Sequence, residues 1–178
     1  MKTNQMQAET AMAPDITSGT TLVMGLGNIL LGDEGFGVHV ARRLQQTRLP
    51  DNVRVEEGGV GGFELLGHLE GVTRLIVVDV MILPLPPGEL KLLEPGPEVS
   101  EPGKVMLSFH QVGVLDLIQM WGLIGQEPEI KFVVTRPQSM DWGTQLSPPL
   151  EQAVDKAVTI VTELCTNFNV RSQGLCTH

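Results

Sequence analysis

The chain has 178 residues, 42% of them hydrophobic and 19% charged, enough for one soluble globular domain and hardly for two. Twelve Lys and Arg against 21 Asp and Glu give a formal charge of −9, which repels phosphate backbones and anionic headgroups. Five Phe, two Trp and no Tyr leave little on which bases could stack, so neither nucleic acid nor a membrane surface is an expected partner.

Cys165 and Cys176 are too few for a disulfide framework and lack zinc-site spacing, so two reduced thiols are expected. No apolar run approaches the ~20 residues of a membrane span. Residues 1–19 are polar and small, without the basic start and apolar stretch of a signal peptide, and read as a flexible N-terminal tail. A cytoplasmic monomer is the expectation, with an α/β domain over residues 20–168 and a C-terminal tail over 169–178.

Strand-like apolar runs alternate with helix-period segments, punctuated by Gly and Pro. Residues 20–26 (TTLVMGL) predict a buried first strand. A helix follows over 35–47, with Val40, Ala41 and Leu44 on one face and Arg42 and Arg43 on the other. Residues 52–56 predict a short strand, and 63–69 a short helix after Gly58, Gly59, Gly61 and Gly62. Residues 74–80 (RLIVVDV) form a continuous apolar run suited to the centre of a parallel sheet. A strand over 89–93, a Pro/Gly/Glu loop over 94–104, a helix over 111–121, a strand over 130–135 and a long helix over 149–168 complete the chain. The alternation selects a single-domain α/β fold, a mostly parallel sheet with helices on both faces.

In such sheets ligands bind at the carboxyl ends of the strands. After the first strand comes GLGNILLGDEGFG, residues 25–37, which has glycines like a phosphate loop but Leu30 at the third glycine place of G-x-G-x-x-G and no Lys for a P-loop. Asp33 and Glu34 stand where a pyrophosphate would rest, and two carboxylates there repel phosphate and attract a cation. An acid that merely complements the helix dipole would look the same. Asp79 ends the most apolar strand, where an acid is costly unless it meets a charge, a metal or backbone donors. His110 opens a helix, a position that favours the neutral imidazole that ligates metals.

Glu34, Asp79 and His110 thus offer two carboxylates and one imidazole from three strand-end loops, the pattern of a catalytic or transient metal site with open positions. His39, His68 and His178 read as surface residues, and Met24, Met81, Met106 and Met120 as packing. A nucleotide-binding or regulatory Rossmann-like domain, using residues 25–32 with Glu56 as a ribose acid, is the competing reading. No G-x-S-x-G elbow, H-E-x-x-H helix or cysteine-nucleophile context is present.

The segment VMGLGNILLGDEGFGVHVARRL, residues 23–44, resembles the opening of the hydrogenase maturation endopeptidases. Further matches follow in order: EGGVGGFELL at 57–66, Val77-Val78-Asp79, Ser108-Phe109-His110-Gln111, then Pro137-Gln138-Ser139 through Leu146-Ser147-Pro148. The resemblance implies a five-stranded α/β domain that removes a C-terminal peptide from the precursor of a nickel-iron hydrogenase large subunit after nickel insertion. It implies that Glu34, Asp79 and His110 are the metal-contacting and catalytic residues, with nickel supplied by the substrate and no organic cofactor. Many relatives have Asp-Gly-Gly-Thr where this chain has Glu57-Gly58-Gly59-Val60, and Arg136 has no counterpart to assign.

Overall fold

The first strand, β1 (Thr20–Leu26), is buried along six of its seven residues, because an apolar run without polar alternation must be covered on both faces. Around it lie β2 (Val53–Gly59), β3 (Val72–Val80), β4 (Leu90–Leu93) and β5 (Glu129–Thr135), in the order β2-β1-β3-β5-β4. The computed structural model describes residues 19–60, 69–95 and 128–167. The β1–β2, β1–β3 and β3–β5 pairs are parallel, and β4 runs antiparallel to β5. From β1 the chain steps outward to β2 and then crosses back to β3, so the strand order reverses between β1 and β3. That reversal opens a crevice at the strands' carboxyl ends.

Helix α1 (Phe36–Gln45) places Phe36, Val40 and Leu44 one turn apart and buries all three. Helix α2 (Pro148–Thr166) starts on two prolines, tolerated in a first turn that needs no amide donors, and buries Leu150, Ala153, Val154, Ala157, Val161 and Leu164. Both helices pack on the sheet face that presents Val23, Ile76, Val78 and Val133. The opposite face presents Leu22, Met24, Leu75, Val77 and Phe132, gathered with Met81 and Leu83. Each such fully buried side chain contributes about 1.5–3 kcal/mol. The helix expected over 111–121, and the one expected over 63–69 except for Leu69, lie outside the described residues.

The strands match their expected positions with one informative difference. β2 runs on through Glu57, Gly58 and Gly59, where a glycine cluster suggests a loop. Pairing with β1 holds it extended to the Leu26–Gly59 step, across a register shift between Gly25 and Leu26. Glu57 and Gly59 are thereby carried to the same end of the sheet as the loop that leaves β1.

Candidate active site

The loop after β1 folds back on its own strand. Gly27 adopts φ +129, and a Cβ there would run into the carbonyl oxygen of Glu34, so only glycine lets the following turn lie this close. The Gly27 amide donates to the Gly59 carbonyl at 2.9 Å, and Asn28 Oδ1 accepts from the Leu30 amide at 3.0 Å. A 3₁₀ turn, Gly32–Gly35, then leads into α1 and packs against β3. At Gly37 a Cβ would collide with the carbonyl oxygens of Val78 and Leu26, so α1 presses onto both strands where they end. The glycines that look like a phosphate cradle are filled by protein backbone.

The two adjacent acids separate in role. Asp33 is 1% exposed and accepts four hydrogen bonds from a segment more than 100 residues away: Oδ1 from the Ser147 amide at 2.6 Å, and Oδ2 from the amides of Gln138 and Ser139 at 2.8 and 3.0 Å and from Ser147 Oγ at 2.8 Å. Backbone bonds extend the seam, Gly32 N to Gly143 O at 2.8 Å and Gly143 N to Leu30 O at 2.9 Å. Ser147, which by position would cap α2, spends its hydroxyl on Asp33 and makes no side-chain cap bond. Among the described residues no hydrogen bond or ion pair engages the carboxylate of half-buried Glu34. Part-buried donors hold one acid, and its neighbour has no such partners among the described residues.

Asp79 is 0% exposed at the end of β3, where its Oδ1 accepts from the Val80 amide at 2.8 Å. The 3₁₀ turn packs on β3, and Gly37 touches the carbonyl of Val78, so the segments bearing Glu34 and Asp79 meet at the β1–β3 reversal. His110 lies outside the described residues. Among the described residues no three His, Cys, Asp or Glu side chains gather to hold a metal ion.

Beside this point lies a cleft of about 280 Å³, lined by Gly27, Asn28, Ile29, Arg42, Glu57 and Val60 among others. Glu57 Oε2 accepts from Nε and Nη2 of Arg42, both at 3.0 Å, which gives the acid of the Glu57-Gly58-Gly59-Val60 stretch a partner on α1. His39 is half-buried rather than a surface residue. Burial, then the Arg42 charge, push its pKa below the ordinary value, while Glu151 and Glu57 oppose them. Arg136 donates from Nη1 to the Leu85 carbonyl at 3.1 Å and pins the Pro-rich loop to the end of β5. Cys165 is buried in α2, and burial pushes its thiol up to about 11, which makes it packing and not a nucleophile.

A family model described as hydrogenase maturation protease matches residues 38–164. The chain belongs to the hydrogenase maturation protease family. The hydrogenase expression/formation protein HupD of Bradyrhizobium diazoefficiens is 34% identical over 152 residues, 84% of this chain and 79% of that protein. The hydrogenase 2 maturation protease of Escherichia coli K12 is 34% identical over 140 residues, covering 77% and 85%. Among solved structures, the hydrogenase maturating endopeptidase HybD from E. coli superposes with a TM-score of 0.76 at 30% identity, over 85% of this chain and 95% of that one. The chain is thus a peptidase of this family, and the nucleotide-binding alternative falls with the backbone-filled loop.

Proposed function

We propose that this peptidase removes the C-terminal extension of a nickel-iron hydrogenase large-subunit precursor after nickel insertion, with Glu34, Asp79 and His110 meeting the substrate-bound nickel. The observation that carries the reading is the division of labour between adjacent acids, Asp33 locked by four hydrogen bonds and Glu34 beside it without a partner among the described residues, at the point where β1 and β3 diverge. Two carboxylates and an imidazole suit a divalent first-row metal and leave positions for ligands the substrate brings. The nickel arrives as part of the substrate, and this chain supplies the donors that accept or refuse it.

Hydrolysis adds water across the scissile amide: a C–O bond forms, the C–N bond breaks, and the leaving amine takes a proton. Glu34, whose carboxylate meets no hydrogen bond or ion pair among the described residues, is the one we assign to orient that water or to hold the metal. Gly27 and Gly59, side by side at the cleft wall, let an extended peptide approach the backbone closely.

The test is to incubate the protein with nickel-loaded and nickel-free precursor and to measure the C-terminal mass. Shortening of the loaded form alone is expected, and its loss in Glu34→Gln and His110→Ala variants that still fold. No shortening of any nickel-loaded candidate overturns the reading, and full activity of either variant overturns the site.

A further inference from the structure

Leu30, Val60, Ile82, Met140 and Trp142 are the exposed large apolar side chains among the described residues. Every one of them follows the carboxyl end of a parallel strand: Leu30 after β1, Val60 after β2, Ile82 after β3, Met140 and Trp142 after β5. The described parts of the two helices and of the opposite end of the sheet contribute none. Exposed apolar side chains gathered on one side of a molecule mark a surface that another molecule covers.

Trp142 is 83% exposed, yet the loop bearing it is fastened on both sides. Asp33 takes the amides of Gln138, Ser139 and Ser147, and Gly143 is hydrogen-bonded in both directions to the segment from Leu30 to Gly32. Asp141 accepts from Ser139 Oγ at 2.6 Å inside the same loop. An indole held out into solvent on a fixed backbone is a pre-organised anchor, since little further ordering is needed when a partner closes over it.

We propose that Met140 and Trp142, with Leu30 beside them, form the docking surface for the folded body of the protein substrate. The proposal rests on the processing function above and deepens it. Two features choose the occupant. The loop is joined backbone to backbone with the turn that carries Glu34, so whatever covers it also covers the mouth of the site, and a second copy of this chain seated there would shut the substrate out. The apolar residues also reach from the end of β2 to the end of β5, three strand spacings or about 14 Å, wider than one extended peptide. A folded surface fits that span, and the tail to be cut enters the cleft beside it.

The experiment uses the full chain and nickel-loaded precursor, with binding by biolayer interferometry and cleavage by C-terminal mass as separate readouts. Trp142→Ala is expected to weaken binding and raise KM about tenfold or more, as for an interface anchor, with kcat changed less than about twofold. Its melting temperature should be unchanged, because the side chain packs on little, and Met140→Ser should show the same pattern more weakly. Gln152→Ala, exposed on α2, serves as the indifferent control. Binding unaffected by Trp142→Ala overturns the docking proposal, as does sedimentation showing that Trp142 holds two copies of this chain together. A wild type that binds through Trp142 but never shortens the precursor overturns the processing reading instead.

Discussion

Asp33 is the residue on which the site's rigidity turns. Its carboxylate is buried and satisfied by three backbone amides and one hydroxyl, none of them charged, so its removal takes the acceptor from four part-buried donors at once. Asp33→Ala should therefore destabilise by about 3 kcal/mol or more, whereas Ser147→Ala, which removes one bond of the four, should cost about 1 kcal/mol. Urea unfolding of both variants checks the ordering, and equal losses would mean that the seam does not depend on Asp33. The residue types in this pair were legible in the sequence, but their division of labour was not. A first-turn acid looks the same whether it faces solvent, a metal or an amide more than 100 residues away, and no local period encodes a contact of that separation. Asp79 stands out in the sequence because an acid closing so apolar a strand is costly unless it finds a partner.

At the scale of elements, the strand ends position the chemistry through close backbone contact. Gly27 combines a left-handed backbone with a Cβ position already taken by the Glu34 carbonyl, so Gly27→Ala displaces the turn that presents Glu34 as well as straining its own residue. Gly71 also has positive φ, +72, but nothing lies within reach of a Cβ there. Gly71→Ala should lose roughly 1–3 kcal/mol by thermal or urea unfolding, and Gly27→Ala, which adds a backbone collision, should lose more. Only Gly27→Ala should also lose precursor processing, and equal activity in the two would separate Gly27 from the site. Apolar runs and glycine punctuation foretold the strands closely, β1 to the residue, because a strand buried on both faces needs an unbroken apolar stretch. The continuation of β2 through Glu57-Gly58-Gly59 was hidden, since its extended form is imposed by the neighbouring β1 and not by its own residues. The antiparallel course of β4 was hidden for the same reason: four residues, Leu90–Leu93, carry no signal of direction.

At the scale of the whole molecule, pH acts on stability through His39, where burial and a neighbouring cation outweigh two acids. This ring is half-buried on α1 and feels Arg42 on its own helix, Glu57 on β2 and Glu151 on α2. Burial, then Arg42, lower its folded pKa beneath the ordinary 6.5, while the unfolded chain titrates near that ordinary value. Between the two values the unfolded state binds more protons, so stability rises with pH across that interval. The contribution is fully present above 6.5 and is lost as pH falls through 6.5 toward the lowered value. Protonation elsewhere acts in the opposite sense, because it relieves repulsion within an acidic molecule, and the wild-type profile is the difference of the two. His39→Gln removes one term and leaves the other. Urea unfolding at about pH 8 and about pH 5 should show wild type more favoured over the variant at the higher pH. A gap between the two proteins that stays constant from one pH to the other would mean that the folded ring accepts its proton as readily as the unfolded one, and that burial and Arg42 impose no net penalty on its charge.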